Sequence, residues 1–510
     1  MRTFSEETPA GRMKMAMNNS TTITIALSAV YFVVILAIGY AAGKRTKGIS
    51  DFMVGGRNLG VWITALGIMA AVMSGWTWIG NPGASYAVGY ASIVKLYSMG
   101  PFGLALSYIV LAKPVRIISE KKGCYTLPDI LAARWAGNRT IRMLSAVIIL
   151  IGCFTYLVSQ WSSMGTVLES ALGVSYRTAV IIGAVIICAY VVAGGMLASM
   201  WTNFIQMIIM FVMAIVILVR SVNMAGGFAG MNLAAASIDP LYVQPFWHGA
   251  ANSLLAVLTY SILIVGLTYG GQPSVNTKFM MIQKTNKLRW APLISGIALA
   301  VGTTTNFLGI AGLVMVDKGI VAAPERADMI LMSMISAIFS PAVSALVMVA
   351  VMAAVMSTAE TYLFSSASTV THDFMKHVLK IEMSDKKYVD LTRLLIAVVT
   401  VITVIMAFNP SAMVATVGAQ AFGCFCAGFG PVLYIGLRWK RVNSKAAIAG
   451  MTTGLIFGGL LPIIDSVFFS GNLMPGINIP GAGVIVSVIV IALVSFSTKP
   501  EHADVFDFEA

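Results

Sequence analysis

Glu360 lies well inside an apolar run, 335–371, that holds no Lys or Arg. A lone carboxylate in hydrocarbon is costly, so it holds a proton unless a cation is supplied. Ala354, Ser357, Thr358, Thr361, Ser365 and Ser368 share its run at steps of three and four, which align along one helical face. Small and hydroxyl-bearing residues are common where membrane helices pack closely. Hydroxyl and carbonyl oxygens are also what a hard cation takes as ligands. Beside Glu360, cation coordination is the better reading. Glu360 itself has three open roles: binding a cation, carrying a proton, or simply being solvated in a water-filled vestibule.

Two other runs contain glycine and proline interruptions, AAVMSGWTWIGNPG at 70–83 and TYGGQP at 268–273. In mid-span these residues break the helical hydrogen-bond ladder and free carbonyls and amides for ligands. The breaks fall at similar depths in the first helix of each of two five-helix blocks, 61–222 and 251–437. One block starts on each side of the membrane, which makes them inverted repeats. Paired broken helices in inverted repeats point to the midplane site of a carrier.

The elements that hold these residues follow from composition. Of 510 residues, 58% are hydrophobic and 10% charged. A bilayer core needs roughly 20 apolar residues per helical span. The apolar runs predict an all-α polytopic membrane protein with about thirteen transmembrane helices, since helices satisfy their own backbone in lipid. The expected order is a tail 1–21, an extra helix 22–43, the repeats 61–222 and 251–437, two further helices within 446–497 and a tail 498–510. The loops 113–142, 223–250 and 372–389 are read as short, with an interfacial helix within 125–142.

The net charge of +13 could suggest nucleic acid, but its distribution argues otherwise. Most of the 33 Lys and Arg, Lys44, Arg57, Arg116, Lys284, Lys376 and Arg438 among them, fall on one side of the alternating spans. The positive-inside rule makes that side cytoplasmic, with the N-terminus outside and the C-terminus inside. Five cysteines without a CxxC pair read as small buried hydrophobes, and His248, His372, His377 and His502 lie at span ends or in loops. No HExxH, P-loop or dinucleotide fingerprint is present. An enzyme is therefore not expected, nor an organic cofactor. A solute sensor would carry a signalling domain, for which 498–510 is too short. Gly450, Gly454 and Gly458 form a GxxxG repeat that could serve as a dimer face.

Several ordered motifs between about residues 22 and 460 resemble the sodium:solute symporter family, in its proline and pantothenate permease-like branch. They are DFMVGGRNLG at 51–60, SGW at 74–76, AGGMLASMWTNFIQ at 193–206, YGGQP at 269–273, AAVMST at 353–358 and FGPVLYIGLRWKR at 429–441. The resemblance implies a ten-helix inverted-repeat core preceded by one helix and followed by two. It implies a sodium site between the first and eighth core helices, made by the carbonyls of Ala70, Met73 and Ala354 and the hydroxyls of Ser357 and Thr358. It also implies a solute site beside the breaks, at Ser74, Gly75, Trp76, Tyr269, Gln272 and Pro273, with Gln160 from the third core helix. Aromatic packing is the alternative role for Trp76 and Tyr269.

Two positions depart from the family pattern. Val72 stands where the proline-permease branch has an acidic residue before Met-Ser-Gly-Trp. Asn203 stands where many members carry an acidic residue of a second sodium site. With Glu360 on the eighth core helix, the carboxylate is expected to have moved across the site, so that Asn203 and Glu360 face each other near Ser357 and Thr361. The resulting expectation is a multi-pass cell-membrane symporter that imports a small amino acid or carboxylate with sodium, a monomer being sufficient. The alternative is a proton-coupled or mixed carrier using Glu360.

Overall fold

The computed structural model describes residues 9–44, 48–246, 254–409, 413–469, 473–474, 477–478 and 479–501. Among them the chain is helical, with one isolated parallel bridge between Leu59 and Ile282. In chain order the helices of seven or more residues are α1 (Pro9–Gly43), α2 (Val61–Val72), α3 (Trp76–Val88), α4 (Tyr90–Lys122), α5 (Leu127–Arg134), α6 (Arg139–Leu172), α7 (Tyr176–Gly194), α8 (Met196–Ala225) and α9 (Gly227–Ile238), with a shorter one, Ile49–Val54, before α2. The second half gives α10 (Leu254–Gly271), α11 (Pro273–Phe279), α12 (Thr285–Asp317), α13 (Ala327–Ile338), α14 (Pro341–Val378), α15 (Asp385–Ala407), α16 (Val414–Gly436), α17 (Ser444–Phe469) and α18 (Ile479–Ser497).

Eleven of the described helices are long and apolar enough to cross a membrane, or 12 when the bent pair α2 and α3 counts as one span. The expected thirteen is thus not reached, because the run at 176–198 contributes a shorter apolar helix, Tyr176–Val192. Helix α1 begins at Pro9, inside the segment expected to be a tail, with its apolar part at Thr22–Ala41. The segments read as loops are more ordered than expected. Residues 113–122 continue α4, α9 fills much of 223–250, and α14 runs on to Val378. The interfacial helix expected within 125–142 is α5, which opens on a capping box between Thr126 and Asp129.

Both breaks are present and have local causes. Helix α2 stops at Val72 because Met73 is extended (φ −77°, ψ 91°), and α3 leaves at 53°. Between α10 and α11, Gln272 is extended (φ −70°, ψ 126°), as expected of a residue whose successor is proline. Pro273 then occupies the first turn of α11, where its missing N–H removes no intrahelical bond. Ser74, Gly75 and the residues from Thr268 to Phe279 that flank the breaks are buried, so the freed backbone groups face protein interior.

Helix α14 runs through the middle of the bundle, and all residues from Val347 to Thr369 on it are buried. It packs against α1, α2, α6, α8 and α15. Glycines permit the close approach of its neighbours. A Cβ on Gly152 of α6 would strike the Phe425 ring of α16, and one on Gly271 of α10 would strike the Phe425 carbonyl. The Gly450–Gly454–Gly458 stripe is used inside the molecule. Its glycines lie against Ile491 of α18 and the Ala427 and Gly423 carbonyls of α16, so this stripe is an intramolecular packing surface.

Candidate ion and solute site

The end of α2 meets the middle of α14. The Ser357 hydroxyl donates to the Ala70 carbonyl over 2.7 Å and also lies 3.1 Å from the Ala354 carbonyl. Thr358 donates to the Ala71 carbonyl, one residue further along α2, over 3.2 Å. Met73 terminates α2 here, and its side chain packs on Gly302 of α12. Ala70, Ala354, Ser357 and Thr358 are therefore brought together, and Met73 follows Ala70 by three residues at the extended end of α2. All are buried. The oxygens are neutral, a donor set suited to a hard monovalent cation.

One turn along α14, Glu360 is 4% exposed, which removes the solvated-vestibule alternative. Its carboxylate accepts from the Tyr190 hydroxyl over 2.8 Å and from Ser199. Asn203 does not face it directly as expected. Its amide instead donates to the Ser199 hydroxyl over 3.3 Å, so Ser199, one turn earlier on α8, stands between them. Thr361 donates to the Ser357 carbonyl over 2.9 Å. A basic side chain that 335–371 lacks arrives from α11. Lys278 is fully buried, donates to the Gly67 carbonyl over 2.8 Å and lies 3.5 Å from the Thr361 hydroxyl.

The expected solute residues divide into two groups. At the first break, the Gly75 N–H donates to Gln160 Oε1 over 2.9 Å, and the Ser74 hydroxyl pairs with the Tyr156 hydroxyl at 2.8 Å. Gly75 has no room for a side chain, since a Cβ would meet Ser163 and Val355. The Trp76 ring packs edge-on to Phe422, with centroids 4.5 Å apart, and beside Tyr97. Tyr156 stacks on Phe422 and tilts against Tyr362. At the second break, Tyr269 lies next to Gly100, while Asn276 donates to the Gly270 and Gln272 carbonyls. Trp76 Nε1 and Gln272 Nε2 are buried donors with no hydrogen-bond partner among the described residues, although such groups are normally satisfied. Pro273 shapes the break and carries no donor of its own.

Tyr156, Phe422 and Tyr362 were not anticipated. Tyr156 had a sequence signal, for it precedes Gln160 by four positions and so shares its helical face. Phe422 had none, because its proximity depends on how α16 packs.

At the end bearing the basic loops, the network closing the bundle joins α5 and α6 to α14. Arg142 pairs with Asp129 at 2.5 Å and Asp373 at 3.0 Å. His372 Nε2 lies 2.8 Å from Asp129, and Thr126 donates to Asp373 over 2.8 Å. Burial raises the cost of charging Asp129. The hydrogen bond and charge of His372, with Arg142 and the Tyr125 amide, outweigh it and hold the carboxyl well below the usual range. Asp129, His372 and His377 present ligand-type atoms within 4.8 Å of one another, but Asp129 is already engaged by Arg142 and His372. The gap beneath the second break at this end, between Tyr125, Pro273 and Phe364, is about 10 Å³. At the opposite end a cavity of about 720 Å³ opens between Lys95, Tyr260, Ala415, Gln420, Asp465 and Pro480.

A membrane bundle with two buried helix breaks, and an oxygen cluster where the first of them meets α14, defines the class, a polytopic transport protein. The chain belongs to the sodium:solute symporter family, whose model matches residues 52–454. It is 32% identical over 438 residues to the osmoregulated proline transporter OpuE of Bacillus subtilis, covering 85% of this chain and 87% of that one. It is 30% identical to the high-affinity proline transporter PutP of the same organism, covering 82% and 88%. A sodium/proline symporter of Staphylococcus aureus is 30% identical over 500 residues, covering 95% and 94%. Among solved structures, a Na+-coupled sialic acid symporter in a substrate-bound outward-open state superposes with a TM-score of 0.75 at 16% identity, covering 94% of this chain and 99% of that one. At that identity the likeness establishes the fold.

Proposed function

We propose that this protein imports proline, or a closely similar small amino acid, with sodium across the cell membrane by alternating access. The observation that carries the reading is the bond from Ser357 to Ala70, which seats an oxygen cluster where α2 breaks against α14. Sodium takes the place of that hydrogen bond: the Ser357 hydroxyl turns its O–H away, keeps its proton and offers a lone pair to the ion, which also binds the carbonyls of Ala70, Met73 and Ala354 and the hydroxyl of Thr358. Since its ligands come from two helices, the ion favours the conformation in which they touch. Solute gains affinity from the same conformation, and the coupling is reciprocal.

The solute seat lies between the breaks, at Ser74, Gly75, Trp76, Gln160, Tyr269, Gln272 and Pro273. The unpartnered Trp76 and Gln272 donors suit a carboxylate, and the Trp76, Tyr156 and Phe422 rings suit an apolar pyrrolidine. The proteins named as proline transporters among the relatives support this choice. The large cavity lies away from the basic loops and the gap near them is nearly closed, as in a carrier facing outward with its N-terminus outside.

The test is uptake of labelled proline by proteoliposomes. A sodium gradient should drive accumulation, and its collapse should abolish it. Equal accumulation under a proton gradient without sodium would overturn the sodium reading. Accumulation of other amino acids but not proline would overturn the solute assignment.

A further inference from the structure

The buried ammonium of Lys278 repeats the helix bridge of the candidate sodium seat one turn away. Gly67, which accepts from Lys278, precedes Ala70 by three residues on α2. Thr361, the other neighbour of Lys278, follows Ser357 by four residues on α14. The two positions are therefore about one helical pitch apart, about 5.4 Å along the axes. Both link a carbonyl of α2 to a hydroxyl of α14. At one, hydroxyl and carbonyl meet directly and a free ion can enter. At the other, a charged nitrogen already sits between them, carried on α11, the second half of the other broken helix.

Burying that ammonium demands a counter-charge, since an unpaired buried charge is strongly disfavoured. Glu360 adjoins Thr361 on α14 and is the one carboxylate in the buried stretch 347–369, although no ion-pair contact closes between it and Lys278. Tyr190 and Ser199 hold the carboxylate on the α8 side. A protonated Lys278 and an ionised Glu360 would thus cancel within the seat. A second free cation there would meet the ammonium at close range.

We propose that Lys278 is a tethered cation that permanently fills the second seat, with Glu360 as its counter-charge, so that the carrier binds one sodium ion. Glu360 is then neither a ligand for a second sodium nor a carrier of protons. The tether also makes the second broken helix part of the α2–α14 clasp, so that movement at the solute seat reaches the ion seat through α11. The inference rests on the sodium reading of the Ala70–Ser357 cluster.

The experiment counts ²²Na⁺ bound at saturation by the purified full-length protein, with sodium as the sole probe. Wild type should bind one ion per chain. Lys278→Met, which keeps the length of the stem and removes the charge, should bind two, because Glu360 and Thr361 then face an open seat. Lys278→Met combined with Glu360→Gln should return to one, and Lys278→Arg should stay at one. Glu360→Gln alone should weaken the single site at least tenfold, through the uncompensated ammonium one turn away. Two ions on wild type would overturn the inference while leaving the sodium reading intact. So would a folded Lys278→Met protein that still binds one. No ion on wild type would overturn the sodium reading and this inference with it. If Lys278→Met does not fold, the wild-type count and the affinity of Glu360→Gln decide the matter.

Discussion

Ser357 and Ala70, 287 positions apart in sequence, are joined by a 2.7 Å hydrogen bond across the gap between α14 and α2. The bond lies near the end of α2, where regular hydrogen bonding is lost, and it is the place at which the proposed sodium ion would hold two helices together. Removing the hydroxyl costs a hydrogen bond of about 1 kcal/mol in the empty protein and one ion ligand in the loaded one. Ser357→Ala should therefore lower sodium affinity by about tenfold to a hundredfold. Its melting temperature without sodium should change little. Sodium titration of uptake and of thermal stability reads both, and unchanged sodium affinity would remove Ser357 from the seat.

Gln160 satisfies the Gly75 amide immediately after the first break. Gln160→Leu leaves that buried donor unpaired, at a cost of about 1–3 kcal/mol. Solute KM should rise by about tenfold or more, with a smaller change in sodium affinity. An equal loss of both would show that Gln160 supports the whole break rather than the solute seat.

Arg142 stands between Asp129 and Asp373 at the basic end of the bundle. Arg142→Met would leave buried carboxylates short of their counter-charge, at a cost of about 3–5 kcal/mol. We expect a marked drop in melting temperature and increased access at that end. Accessibility of Cys124, buried on this side, to a thiol reagent measures the second effect. No increase would argue that the network does not close this end.

Asp328, on α13, accepts from the Val414 amide over 3.0 Å and lies against Gly83 at the end away from the basic loops. Burial pushes its carboxyl up to about 6, opposed by the Val414 bond and the Arg326 charge. A carboxyl raised in the folded state keeps its proton longer there than in the unfolded chain. Its stabilising effect is complete below the unfolded value and is lost as pH rises through about 6. Wild type should therefore gain more thermal stability than Asp328→Asn when pH falls from about 7.5 to about 5. Parallel pH profiles would contradict this.

Gly454 packs its backbone on the Ala427 carbonyl of α16. Gly454→Leu should lower the melting temperature by separating α17 from α16, without a change in oligomeric state. Dissociation of an oligomer by this variant, with no loss of stability, would return the stripe to an intermolecular role.

The sequence by itself determined the helical membrane class, the two breaks and the hydroxyl-bearing face of α14. These depend on local causes: apolar length, the extended residues Met73 and, before Pro273, Gln272, and a spacing of three and four. It also singled out Glu360, because a carboxylate is conspicuous in an apolar run. Packing alone decided what surrounds it. Lys278 lies at the end of a different helix, Ser199 takes the place expected of Asn203, and Phe422 reaches Trp76 from α16. The same holds for the glycine stripe of α17, whose partner could be a second chain or its own α16 until the helices are placed. Periodicity shows which side chains share a face, whereas the face they meet is chosen by the packing of helices distant in the chain.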